Sequence, residues 1–228
     1  MSMNRWLPDA AAWGLIAVLL LLALAPLLFS PGVLMRGDVA LYFYPYWEAA
    51  ARATREGRLP LWNPDLFAGV PFLANPQVGF FYPPNRLLSW MPAPQALKLS
   101  IGLHALWAAW GMYGLVRRRG ARPGGALAAA LAYAMGGYVL AQAEHINQFQ
   151  ALAWLPWMGW AWAARRPLTL GLAGAMQVLC GHAQTVFLSW TALALLFAPP
   201  WREARSGRAW VHAWGPGGLG GALALALS

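Results

Sequence analysis

Two acidic side chains carry the clearest chemical signal. Asp38 and Glu144 each follow a long apolar stretch, at ends that the charge pattern below places on the outer side. Acidic groups near a membrane are costly unless solvated or paired, which makes them functional candidates. A carboxylate there can act as general base toward a hydroxyl, or help to hold a divalent metal. Glu144 is followed by His145, which offers a second ligand or a proton carrier. The plainer alternative is that both acids are solvated interfacial residues. His182 and Gln184, within Gly181-His-Ala-Gln184, occupy another outer end and are candidate substrate contacts. A lone histidine there is more often a hydrogen-bonded structural residue. Arg36, Arg86 and Lys98 are outer-side cations suited to a phosphate, or equally to lipid headgroups. His104 lies inside an apolar stretch and reads as an interhelical polar residue, while Glu56 and Asp65 read as solvated loop charges.

Apolar elements must position these groups. The 228 residues are 60% hydrophobic and 10% charged, with a mean hydropathy of +0.46. A soluble domain carries roughly 25% charged residues, so there is too little polar material here to coat a water-facing globule. A cytosolic enzyme, a disordered tail and a coiled coil are disfavoured. The net charge of +9 comes from short arginine clusters between apolar runs, a pattern that topology control explains without nucleic acid. The single cysteine, Cys180, excludes an intramolecular disulfide framework and a multi-cysteine zinc site.

Ala11–Phe29 is long enough to span and carries no charge. It exceeds the usual core of a cleaved signal peptide, and Pro26 spoils its Ala-Leu-Ala site, so an uncleaved first helix is expected. Further stretches run over 96–116, 125–142, 151–164, 168–181, 185–200 and 211–228. They predict an all-α, polytopic membrane protein of about seven spans in one integral domain, several spans being short and needing tilt or a thinned bilayer. The last stretch ends with the chain, which suggests a piece of a longer protein. Arg117, Arg118, Arg119 and Arg122, then Arg165 and Arg166, then Arg202, Arg205 and Arg208 fall in alternate loops. That places those loops and the N-terminus in the cytoplasm, and residues 30–95 outside.

The segment 30–95 is too long for a connector and too aromatic for disorder. Residues 39–56 read as an amphipathic helix lying on the membrane, aromatic side down. Pro45 sets its first turn, Gly57 stops it, and Glu48–Arg52 and Arg52–Glu56 are spaced as ion pairs. Pro-rich, aromatic chain follows, ordered but irregular. No P-loop, dinucleotide fingerprint, zinc-protease helix or serine elbow is present. The glycines of 215–221 read as close helix packing.

Gly37-Asp38, Tyr44-Pro-Tyr-Trp-Glu48, Glu56-Gly-Arg-Leu-Pro-Leu-Trp-Asn-Pro64, Gly69-Val-Pro-Phe-Leu-Ala-Asn-Pro-Gln77 and Tyr82-Pro-Pro-Asn85 resemble, in order, the first outer loop of the bacterial YfhO-like membrane protein family. His145-Ile-Asn147, Ala153-Trp-Leu-Pro-Trp157 and Gly181-His-Ala-Gln184 are similar to later motifs of that family. The resemblance runs from the first helix to Gln184. It implies a GT-C-like glycosyltransferase of the bacterial cell membrane, moving a sugar from a polyprenyl-phosphate carrier to a cell-envelope acceptor on the outer face. It also implies that Asp38 is the catalytic base or metal ligand, with Glu144 as a second acid. The family continues through more spans than this chain contains, so acceptor recognition and part of the donor site are expected to lie beyond it. The alternative is a non-enzymatic subunit that binds or translocates a lipid-linked sugar. A secondary transporter ranks third, because the polar residues collect at outer ends and not at mid-bilayer. Sugar, acceptor and cofactor are not specified, though a divalent metal is compatible.

Overall fold

Leu7–Leu28 has one acidic residue, Asp9, in an otherwise apolar run, and it forms helix α1. In this computed structural model, which describes residues 7–32, 37–198 and 207–227, the chain is mostly helical. The long elements after α1 are α2 (Tyr44–Arg55), α3 (Pro83–Leu88), α4 (Ala93–Arg118), α5 (Pro123–Ala134), α6 (Gly137–Ala141), α7 (Ile146–Ala163), α8 (Pro167–Leu179), α9 (Ala183–Leu196) and α10 (Gly207–Leu227). Most begin with proline in the first turn, where its missing N–H costs nothing and its fixed φ suits a helix.

Among the described residues three helical stretches are long and apolar enough to cross a membrane: Pro8–Leu28, Ala93–Arg118 and Pro123–Glu144. The third is broken at Gly136 between α5 and α6, and a 3₁₀ turn at Gln142–Glu144 completes it. Helices stand at all seven expected stretches, but α8 has 13 residues and α9 has 14. Such helices are about 20 Å long, against a hydrocarbon core of about 30 Å. Leu22, Phe187 and Leu195 are among many large apolar side chains left exposed, a surface suited to lipid.

Helix α1 runs antiparallel to α4. Near its start Asp9 accepts from Arg117 at 2.8 and 3.2 Å; midway Trp13 stacks on Trp110; past its end Lys98 Nζ donates to the Ser30 carbonyl at 2.7 Å. Helix α7 packs on α4 elsewhere, then α8, and α10 closes on α8. The glycines of 215–221 do serve close packing: Gly217 lies against the Trp162 ring and Gly220 against Leu170.

Between α1 and α4 the chain forms a cap. A π-helical turn, Val39–Phe43, leads into α2, which ends at Gly57 with φ +69° and a bond from the Arg58 amide to the Ala53 carbonyl. The aromatic side of α2 does not face outward: Trp47 is buried with Leu88 and Leu97, and Tyr46 with Phe72 and Phe80. The expected pairs within α2 are replaced. Arg52 reaches Asp65 at 2.5 Å and Arg55 reaches Glu48 at 3.1 Å, while Glu56 pairs with Arg58. Asp65 is therefore an ion-pair partner that folds the 57–65 loop back over α2. Its strand β1 (Trp62–Asn63) pairs antiparallel with β2 (Val70–Pro71) further along the chain.

A buried polar network joins cap to helices. Tyr82 donates its hydroxyl to His104 Nε2 at 2.8 Å and accepts from Trp154 Nε1 at 2.8 Å. His104 Nδ1 donates to the Ser100 carbonyl at 2.7 Å, which fixes the tautomer. Gln150 donates to Asn85 Oδ1 at 2.6 Å and to Ser100 Oγ at 2.9 Å; Asn85 also donates to the Gly79 carbonyl. His104 is thus the interhelical polar residue its position suggested. Replacing Tyr82 with Phe leaves His104 Nε2 and Trp154 Nε1 buried without partners. Each such group costs about 1–3 kcal/mol, so the thermal unfolding midpoint in detergent should fall clearly below that of the parent chain. An unchanged midpoint would show that the network is dispensable.

Candidate functional site

Gly37 takes φ +51°, and a Cβ there would stand 2.8 Å from Glu144 Oε2. Glycine therefore does two things at this position: it allows the left-handed turn and admits the Glu144 carboxylate to the backbone. The next residue, Asp38, opens the turn into Val39–Phe43 with its side chain 54% exposed. Its Oδ2 lies 3.3 Å from His145 Nε2. His145 holds the N-cap position of α7, directly after the 3₁₀ turn that ends in Glu144. Its other ring nitrogen, Nδ1, is buried without a hydrogen-bond partner among the described residues.

His182 is the N-cap of α9. Its Nδ1 accepts from the Thr185 amide at 3.1 Å and lies 2.7 Å from the Thr185 hydroxyl, so the neutral ring carries its proton on Nε2. Burial pushes its pKa below the usual histidine value, and the nearby His145 lowers it further. Gly181, at φ +81°, touches the Pro76 backbone so closely that no Cβ fits, and this contact brings the Asn75–Gln77 loop beside His182. Asn75 caps the 3₁₀ turn Pro76–Val78 with Oδ1 and donates from Nδ2 to the Tyr42 hydroxyl at 2.5 Å. Burial raises the Tyr42 pKa, and the charge of Asp38 adds to the rise, which puts the phenol within electrostatic reach of the carboxylate.

One end of the bundle therefore gathers Asp38, Glu144, His145 and His182, with Tyr42 and Asn75 supporting them. The first four stood out in the sequence; the last two did not, because only the folded cap brings residues 42 and 75 together. Other candidates are placed elsewhere. Lys98 is buried and donates to both the carbonyl and hydroxyl of Ser30 just past α1, where a cation meets the negative helix end. Arg86 donates to Thr54 Oγ1 at 2.8 Å and lies over the Phe80 ring, joining α3 to α2. Both cations already serve the fold. Gln184 is exposed in the first turn of α9. Arg36 lies outside the described residues. Among the described residues no three His, Cys, Asp or Glu side chains stand close enough to share a metal ion.

No family model, no curated protein and no solved structure matches this chain.

The depressed pKa of His182 makes the α9 cap sensitive to acid. The folded state binds fewer protons than the unfolded chain as pH falls below the ordinary value of 6.5, so stability present above that pH is lost on acidification. The Thr185 amide should be less protected at pH 5.5 than at pH 7.5, its exchange rate being normalised to the intrinsic rate at each pH. In His182→Asn, which keeps a capping oxygen but does not titrate, the dependence should flatten. Equal slopes in the two proteins would remove His182 as the acid-sensitive group.

Proposed function

We propose that this chain is the N-terminal part of a YfhO-like, GT-C-type membrane glycosyltransferase, with about seven spans and a cytoplasmic N-terminus in a bacterial cell membrane. Its Asp38 end faces outward, and α2 lies near the outer membrane surface. The reading is carried by one observation: an exposed Asp38 carboxylate held 3.3 Å from His145 at the end of the bundle away from the Arg117–Arg119 cluster. The arginine alternation supports the orientation, and the ordered loop motifs support the family.

In this reading a polyprenyl-phosphate sugar keeps its tail in the lipid and its anomeric carbon near Asp38. Asp38 accepts the proton of the acceptor hydroxyl as the oxygen bonds to the anomeric carbon. The bond from that carbon to the phosphate oxygen breaks, and the polyprenyl phosphate leaves with the electron pair. His145 orients the carboxylate. Arg36 and the Nε2–H of His182 are the groups assigned to the leaving phosphate, since Lys98 and Arg86 are engaged in the fold.

The chemistry is tested with the chain in proteoliposomes, given polyprenyl-phosphate hexoses labelled in the sugar and a cell-envelope polymer as acceptor. Wild type should transfer label, and Asp38→Asn should be slower by about 10²–10⁴, the usual worth of a general base. Undiminished turnover in Asp38→Asn removes this role. Donor binding without transfer by wild type favours the non-enzymatic subunit.

Topology is tested separately. On a Cys180→Ser background, Gln184→Cys should react with a membrane-impermeant maleimide added outside cells, whereas Arg118→Cys should react only after lysis. The reverse pattern would put Asp38 in the cytosol and end the proposal.

A further inference from the structure

A large cavity lies at the other end of the bundle, away from Asp38. It encloses about 590 Å³ between Asp9 and Trp13 of α1, Gly114, Arg117 and Arg118 of α4, and Trp160 of α7. Its charges do not cancel. Arg117 is neutralised by Asp9 through two hydrogen bonds. Arg118 is exposed on the cavity wall, and among the described residues no carboxylate pairs with it. Arg166 is not one of the lining residues, but its guanidinium lies over the ring of the lining Trp160 at 5.3 Å and places a second cation next to it. The cavity is therefore cationic, with indole walls.

Beyond the Trp13–Trp110 stack, α4 presents an apolar groove. Leu99, Leu103, Leu106, Trp110 and Gly114 recur at three- and four-residue steps and share one face of α4. Ala17, Leu21 and Leu28 of α1 line that face on one side, forming an apolar cavity of about 250 Å³ with Leu99, Leu103 and Leu106. Trp154 of α7 lines it on the other, with Leu103, Leu106 and Trp110, around about 310 Å³. The helix rises about 16 Å from Gly114 to Leu103, roughly the hydrocarbon depth of one leaflet. A cationic, tryptophan-walled pocket next to an apolar groove of leaflet depth on the same helix matches one ligand chemistry: a phosphate with a hydrocarbon tail.

We propose that this cleft holds one acidic phospholipid, its phosphate at Arg118 and Arg166 and an acyl chain along the Leu106–Leu103 face of α4. Net positive charge selects an acidic over a zwitterionic lipid, and the apolar groove selects a lipid over a free anion. The site requires a membrane-embedded chain but is independent of any chemistry at Asp38.

Native mass spectrometry of the chain, released from micelles containing equal amounts of phosphatidylglycerol and phosphatidylcholine, tests it. Wild type should retain one phosphatidylglycerol in preference to phosphatidylcholine. Each arginine near a charged membrane surface accounts for about a fivefold change in binding, so Arg118→Ala with Arg166→Ala should weaken retention roughly 25-fold. Arg122→Ala removes the same charge from a residue that neither lines the cavity nor lies over the Trp160 ring, and should leave retention close to the wild-type value. Gly114→Phe, which fills the cavity beside Trp160, should expel the lipid with both arginines intact. Equal retention of the two lipids overturns the proposal. So does wild-type retention by the double variant or by Gly114→Phe, or displacement of the lipid by glycerol 3-phosphate alone, which would mark a site for a soluble anion.

Discussion

The hydrogen-bonded tie between the cap and the helices is the constraint on which the rest depends. Helices in lipid gain no hydrophobic advantage from one another, because the tails around them are as apolar as leucine. A cap of more than fifty residues made largely of turns cannot be positioned by that surface either. Tyr82 and Asn85 supply what apolar contact lacks. Each is buried, and each reaches polar partners on α4 or α7: His104 and Trp154 for Tyr82, Gln150 for Asn85. Since an unmade bond here costs more than a made one gains, the tie selects a single register for the cap. Asp38, at the start of the cap, and His145, at the start of α7, meet because that register is fixed.

Charge divides the molecule in the complementary direction. At one end Asp9 holds Arg117, with arginines clustered around the pair; at the other, Lys98 closes the end of α1. These contacts fix the two ends of the α1–α4 pair, so α4 can serve as a common floor for α1, α5 and α7. The same division separates the acidic, histidine-bearing end from the cationic cavity. Two sites of opposite charge at the two ends of one helix pair follow from composition as much as from fold: seven acids among so many arginines leave few places where negative charge gathers.

Much of this was legible in the sequence, for definable reasons. Helices fall where apolar runs of sufficient length occur, and proline and glycine mark their ends. Asp38, Glu144, His145 and His182 were readable because each sits at a helix boundary on one side of the charge alternation, and boundaries on one side of a bundle converge. What could not be read depends on chain reversal within the cap. Tyr42 and Asn75 meet across 33 residues, and Asp9 and Arg117 across 108, with no periodicity linking them. Arg117 was read as a topological charge only. The helical spacing of Glu48, Arg52 and Glu56 misled because Arg52 had a better partner in Asp65, which only the folded 57–65 loop supplies. Lys98 and Arg86 illustrate the converse: a cation on the right side of the membrane is not thereby free for a ligand.

The orientation of His145 has a consequence for how the acidic end can work. In a base relay of the serine-hydrolase kind, the carboxylate holds Nδ1 and leaves Nε2 to face the substrate. Here the carboxylate lies at Nε2, and Nδ1 is enclosed by protein. The buried nitrogen of His145 is therefore Nδ1, and the nitrogen beside Asp38 is Nε2. In the proposed reaction, proton acceptance at this end is assigned to the exposed carboxylate of Asp38, with the imidazole beside it. His182 presents the opposite case, its Nδ1 committed to the α9 cap and its Nε2–H left as a donor. One ring positions an acceptor and the other offers a donor. That division of labour suits a reaction in which a proton leaves one oxygen while negative charge accumulates on another.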